Sequence, residues 1–213
     1  MRITVVGPGA MGGALGRRWA ARGHSVRFTF SRDARRLAEV ACSAGPAAEP
    51  CPSLVEAVAW AEVVVLTVPW PLARSVLSAA EDELRGKILV DATNPLNDDH
   101  TALVLGHTDS GGETIARWAP DATVVKAFNT VFARLLDADT PGLAVICGDD
   151  PAANRIVAQL AADAGCEPLV AGPLALARTS EPLALMVIRH WQAQGRMIGL
   201  RTSVTAPAAL AVA

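Results

Sequence analysis

Apolar residues fall along the chain in short β-branched runs that alternate with alanine-rich stretches of helical character. The first run, Ile3-Thr4-Val5-Val6, ends on a glycine. Residues 10–22 then read as a helix stopped by Gly23, residues 25–30 as an alternating strand, and residues 33–41 as a second helix. Residues 53–61 read as a third helix, with Ser53 as N-cap and Glu56 three residues on. Residues 63–68 are apolar on both faces, as a central parallel strand is. Pro69 and Pro71 end that strand and open a helix to about residue 80. Further strands are predicted over 87–91, 123–128, 143–147 and 167–170. Between them lie a polar, glycine-bearing loop (97–112) and helices near 113–118, 151–164 and 175–194. Residues 202–213 carry no strong signal.

This alternation predicts an α/β chain of Rossmann-like type: a doubly wound, mainly parallel sheet with helices on both faces and right-handed crossovers. Residues 1–150 are expected to form a dinucleotide-binding domain. Residues 151–213 are too few for a separate helical domain and are expected to be a small extension completing the same sheet. The chain has 213 residues, 51% of them hydrophobic and 19% charged, enough to bury a full core. Its formal charge of −2 provides no general attraction for nucleic acid or an anionic membrane. No run of apolar residues is long enough to span a bilayer. Cys42, Cys51, Cys147 and Cys166 form no CxxC pair, which argues against a zinc site and for a reducing, cytoplasmic setting.

Gly7-Pro8-Gly9-Ala10-Met11-Gly12 directly follows the first strand and opens the first helix, the context that gives a GxGxxG pattern its meaning. Gly7 is expected to make the tight turn, Gly9 to admit a pyrophosphate, and Gly12 to let the helix approach the sheet. The phosphates would meet the positive end of the helix. At the end of the second strand, where an NAD site places an acidic residue for the ribose, this chain has Ser31 and Arg32, with Arg35 and Arg36 one helical step on. That set suits a 2′-phosphate, with Arg32 able to fork onto it. Asp33 is the competing residue. Its position suits the first turn of the next helix, with Ser31 as N-cap.

The strand ends Val68-Pro69-Trp70, Asn94-Pro95 and Ala127-Phe128-Asn129-Thr130 are expected to line the nicotinamide side. Trp70 reads either as a pocket wall or as a helix-start aromatic packed on the sheet. Asn129 reads either as a carboxamide or carbonyl partner or as a turn residue. No nucleophilic triad stands out, there is no tyrosine, and neither Lys87 nor Lys126 is an obvious general acid. His24, His100, His107 and His190 could each donate a proton, but each reads more readily as a surface residue. No metal site and no catalytic side chain is expected. A hydride passed between two redox rings needs orientation and exclusion of water rather than a protein acid.

Taken in order, several segments resemble the NADPH-dependent reductases of the deazaflavin coenzyme F420. They are Gly7 to Gly12, Ser31-Arg32, Val68-Pro69-Trp70, Asp91-Ala92-Thr93-Asn94-Pro95-Leu96, Val125-Lys126-Ala127-Phe128-Asn129-Thr130, Cys147-Gly148-Asp149-Asp150, and Ala171-Gly172-Pro173-Leu174 with Arg178. The resemblance implies a homodimer exchanging hydride between NADP(H) and coenzyme F420. It places the 2′-phosphate on Ser31 and Arg32. It borders the ring pocket with the Pro69 loop, the segment around Ile115, and Pro173 and Leu174. Arg178 and Arg134 are candidate partners for the acidic tail of the deazaflavin. Pro8 departs from the threonine common in that family and removes a backbone donor beside the phosphates. Two other functions stay open: reduction of a small imine or carbonyl, which needs a proton donor such as Glu113 facing the nicotinamide, and a sensor that binds NADP without turnover, its pocket filled by Trp70 and Phe128.

Overall fold

A computed structural model describes residues 1–106, 108–140 and 142–202; His107 and most of the tail lie outside the described residues. β1 (Arg2–Val6) is buried at four of its five positions because helices cover both faces of the sheet around it. It runs parallel to β2 (Ser25–Thr29) on one side and β4 (Val63–Leu66) on the other. β3 (Ala48–Pro50) pairs with β2, and β5 (Ile88–Asp91) and β6 (Thr123–Lys126) continue beyond β4. β7 (Leu143–Gly148) joins β6 antiparallel, and β8 (Glu167–Gly172) runs parallel to β7. The eight strands form one sheet in the order β3-β2-β1-β4-β5-β6-β7-β8.

Helices α1 (Ala10–Ala21), α2 (Ala34–Ser43), α3 (Leu54–Trp60), α4 (Trp70–Ala79), α5 (Glu81–Leu84), α6 (Gly111–Trp118), α7 (Ala133–Asp137), α8 (Pro151–Asp163) and α9 (Ala177–Gln194) connect or follow the strands. Alternate strand residues feed two apolar layers, as the two-residue period of a strand requires. Val5, Val63 and Val65 pack with Leu15, Trp19 and Leu160, whereas Val6, Val64 and Leu66 pack with Val76, Leu77 and Ile115. Trp19 ties α1 to α8 by donating its indole N–H to the Leu160 carbonyl at 2.8 Å. No helix among the described residues is long and apolar enough to cross a membrane.

The later strands extend the same sheet, as the pattern predicts, and the Ser53 hydroxyl does accept the Glu56 amide. Three elements carry no periodic apolar signal and escape prediction: β3, which ends in a proline at the sheet edge, and the short α5 and α7. The stretch predicted as one helix from 175 begins with a 3₁₀ turn, Leu174–Leu176, before α9. A further correction concerns Ser31. The N-cap of α2 is Asp33, whose Oδ1 accepts the amides of Arg35 at 2.9 Å and Arg36 at 3.3 Å. The Ser31 hydroxyl instead braces Asp33, accepting its amide and donating to its carbonyl.

Candidate functional site

Outward from β1 the sheet runs through β2 and β3 on one side and through β4 on the other, so the strand order reverses direction between β1 and β4. Open parallel sheets bind ligands at the carboxyl ends of strands at such a point. β1 ends there on Gly7, whose φ of 100° is accessible to glycine and not to ordinary side chains. A Cβ at Gly7 would stand 2.9 Å from Val68 Cγ1. The Thr67 hydroxyl lies 3.0 and 2.7 Å from the carbonyls of Val6 and Gly7 and pins the turn to the end of β4. A Cβ at Gly12 would overlap the Gly7 carbonyl and come within 2.6 Å of Thr67 Oγ1. Gly12 thus lets α1 sit directly on the turn. Gly9, the N-cap of α1, is the opposite case: an added Cβ there meets no atom within 4 Å. The helical ladder starts with the Gly13 amide on the Gly9 carbonyl, which leaves the amides of Ala10, Met11 and Gly12 outside it. α1 has no capping side chain and no acidic residue in its first turn. Its end is therefore positive and open, as an anion site requires.

A cavity of about 320 Å³ adjoins this turn. Of the predicted residues, Gly7, Pro8, Gly9, Ser31, Arg32, Arg36, Val68 and Pro69 all border it. Arg32 and Arg36 have no ion-pair partner among the described residues, and the Asp33 carboxylate is engaged in capping α2. Thr67, Leu72 and Phe30 also border the cavity, unanticipated from the sequence. Phe30 holds a left-handed backbone, φ 62°, at the end of β2. A bulky residue keeps that conformation at a cost of about 1–3 kcal/mol, a strain that recurs at ligand clamps.

On the other side of the α1 start lies a second cavity, of about 270 Å³, bordered by the predicted Ala10, Met11, Asn94 and Asn129. Ala92, Phe128, Thr130, Phe132 and, from α9, Val187 and Ile188 complete much of its wall. Asn94 donates its side-chain amide to the Asn129 carbonyl at 3.0 Å. Asn129 in turn donates Nδ2 to the Ser180 carbonyl at 3.1 Å and lies 3.3 Å from Asn94 Oδ1. Its own Oδ1 is buried with no hydrogen-bond partner among the described residues. Phe128, also left-handed at φ 64°, is fully buried with its ring edge-on to Trp19 at 5.8 Å. No described residue bordering this cavity has a titratable side chain.

Six expectations need correction. Trp70 borders neither cavity and stacks on Trp118, with ring centroids 5.3 Å apart. Ala127 has no exposed surface and belongs to the core. Ile115 is likewise fully buried, in the layer that also holds Leu174, whereas Phe128 and Val131 belong to the layer on the other face. The sheet therefore separates Ile115 and Leu174 from the Asn129 cavity. Leu174 donates its amide to Asp149 at 2.9 Å, and Pro173 borders a different hollow beside Asn154. Arg178 forks onto Glu113 at 2.8 and 2.6 Å and borders neither of these two cavities, lining instead, with Asp109 and Glu181, a separate hollow of about 320 Å³. That hydrogen-bonded guanidinium holds the Glu113 carboxyl below its usual range despite partial burial. Val187 and Ile188, which sequence reasoning also missed, are aliphatic positions of α9 with no signal of their own.

Comparison with known proteins fits this geometry. A model of the family described as NADP oxidoreductase, coenzyme F420-dependent, matches residues 2–95. The chain is 31% identical over 205 residues to the F420-dependent NADP reductase of Methanothermobacter thermautotrophicus, and the match covers 88% of each. The chain belongs to the coenzyme F420-dependent NADP oxidoreductase family. A solved structure of a candidate reductase of this family from Arthrobacter sp. FB24 superposes with a TM-score of 0.82 at 30% identity, covering 96% of this chain and 99% of that one. The chain is also 34% identical over 194 residues to the metalloreductase STEAP3 of Rattus norvegicus, but spans only 38% of that relative's length. The imine reductase of Streptomyces aurantiacus, at 22% identity and a TM-score of 0.65, shares the fold. Like its relatives in the family, the chain is an NADP-dependent oxidoreductase.

Proposed function

We propose that the chain transfers a hydride between NADP(H) and coenzyme F420. The observation that carries this reading is the second cavity, whose described border residues have no titratable side chain. Reducing an imine or carbonyl calls for a proton donor beside the reacting atoms. Glu113, the candidate for that role, is held by Arg178 and Ser110 outside the cavity. His24 lies between the N-terminus and Asp163. A deazaflavin ring takes up hydride with no such donor, so a dry, oriented pocket suffices. The sensor reading requires Trp70 and Phe128 to fill the space. Trp70 is stacked on Trp118 and Phe128 is turned against Trp19, with about 270 Å³ left open.

The residues fit the nucleotide on physical grounds: an open Gly9, unladdered amides at the start of α1, and two arginines with no ion-pair partner among the described residues. NADP(H) supplies the hydride at the nicotinamide C4. The amides of residues 10–12 would hold the pyrophosphate, and Ser31, Arg32 and Arg36 the 2′-phosphate. Asn129 Oδ1, a buried acceptor with no partner among the described residues, would take a carboxamide N–H, with Asn94 and the Ser180 carbonyl fixing the direction of the side chain. Phe132, Val187 and Ile188 would exclude water. On this reading residues 1–150 carry the nucleotide and the later residues close its reactive end.

The test is an absorbance assay of the purified protein with NADPH and oxidised F420, following the visible band of the deazaflavin. Bleaching at enzyme-like rates is the expected result. Bound NADPH with no bleaching would remove the deazaflavin and return the search to small imines and carbonyls.

A further inference from the structure

At the end of β6 lies a charge cluster that the proposed reaction does not use. Lys126, the last residue of β6, has no exposed surface. Its ammonium has three N–H donors and meets three acceptors: Asp91 Oδ2 at 2.8 Å, the Thr93 carbonyl at 2.7 Å and Glu181 Oε1 at 2.7 Å. Burial works to lower its pKa, but the two carboxylates outweigh burial and leave it raised, so the charge stays on. Glu181, in the second turn of α9, is 2% exposed. Beyond Lys126 it accepts the amides of Gly111 at 2.9 Å and Gly112 at 3.1 Å, the first two residues of α6. Gly111 leaves room for it: a Cβ there would stand 2.9 Å from Glu181 Oε1. A single carboxylate thus ties α9 to the middle of the sheet and to the start of a second helix.

The consequence for the cavity follows from chain order along α9. The residue before Glu181 is Ser180, whose carbonyl receives Asn129 Nδ2. Two turns beyond Glu181, Val187 and Ile188 form the cavity wall. We propose that Glu181 is a positioning residue: its buried carboxylate, held by Lys126 and the α6 amides, seats α9 and thereby sets the Asn129 side chain and the wall of the reactive end. Arg32 and Arg36, on the other side of α1, have no contact with this tether. The inference rests on the nucleotide assignment above, since it is the nicotinamide half that the tether would shape.

The experiment compares two probes by calorimetry, adenosine 2′,5′-bisphosphate for the phosphate end and NADP⁺ for the whole cleft, on the wild type, Glu181→Gln and Gly111→Ala. Glutamine keeps one acceptor oxygen, for Lys126 and the Gly112 amide, loses the acceptor of the Gly111 amide and removes the charge. Alanine at 111 presses on the carboxylate with every charge in place and serves if the glutamine variant fails to fold. The expected result is NADP⁺ weakened about tenfold by Glu181→Gln, and less by Gly111→Ala, with the bisphosphate unchanged within about twofold. Equal weakening of both probes would overturn the proposal. So would a lowered melting temperature with NADP⁺ binding intact, the mark of a residue that only stabilises the fold. A wild-type protein that binds neither probe would instead sink the nucleotide assignment, and the tether's role with it.

Discussion

The cavity beside Arg32 draws its border from three stretches that each follow a strand directly, after β1, β2 and β4, and all of them lie before residue 73. The cavity beside Asn129 draws on the start of α1, the ends of β5 and β6, and a helix near the far end of the described chain. The first carries charged side chains, Arg32, Arg36 and Asp33, among apolar ones such as Phe30, Val68 and Leu72. The second has no charged side chain among its described border residues, with Asn94, Asn129 and Thr130 as its polar groups. Recognition of phosphate needs fixed charge and can be assembled locally. A pocket for ring-to-ring transfer needs shape and dryness, which only distant parts of the chain packed together can supply.

Breaking the local half should have the largest effect. Gly9→Val places a side chain where the structure leaves open space, so it should reduce NADPH affinity on the order of a hundredfold or more while hardly moving the melting temperature. Calorimetry paired with thermal unfolding checks both parts, and retained affinity would remove this loop from the site. Arg32→Ala and Asn129→Ala then sharpen the contrast. The arginine variant should weaken NADPH relative to NADH by about 1.5–3 kcal/mol, as for a bond to a charged group. The asparagine variant should weaken both cofactors alike, by about 0.5–1.5 kcal/mol. An Arg32 variant that lost both cofactors equally would contradict its 2′-phosphate role.

The smallest effect is expected from Arg178→Ala, which lies in neither half. The Arg178 hydrogen bond lowers the Glu113 carboxyl in the folded protein. Its contribution is therefore present above the ordinary carboxylate range and is lost as pH falls through the lowered folded value. The variant should melt slightly below the wild type at neutral pH and converge with it in acid, with NADPH affinity unchanged. Loss of affinity for the deazaflavin in this variant would restore Arg178 to the substrate site.

The same contrast explains what could be read from the sequence. Gly7, Gly9 and Gly12 declare themselves because each meets a steric demand at a fixed spacing, and Ser53 declares α3 because a hydroxyl can cap it. Arg32 stands out as a cation where an acid would serve the other cofactor. Ile115 and Leu174 were expected in the pocket from resemblance alone, and nothing in their identity says which face of the sheet they occupy. Val187 and Ile188 look like any helical core positions. Glu181 looks like a solvated helix charge, and only the packed structure brings it to Lys126.

The position of Lys126 also bears on how the cleft is made. During synthesis the residues of the proposed phosphate end leave the ribosome early. Lys126 and Asp91 follow, but the carboxylate of Glu181 arrives only with α9. Until then the start of α6 has no acceptor for its first amides, and the Asn129 side chain has no Ser180 carbonyl to hold it. On the proposed assignment, the segments that would hold phosphate are made before those that would close the reactive end, and the last described helix to be translated completes both the Lys126 cluster and the Asn129 hydrogen bond.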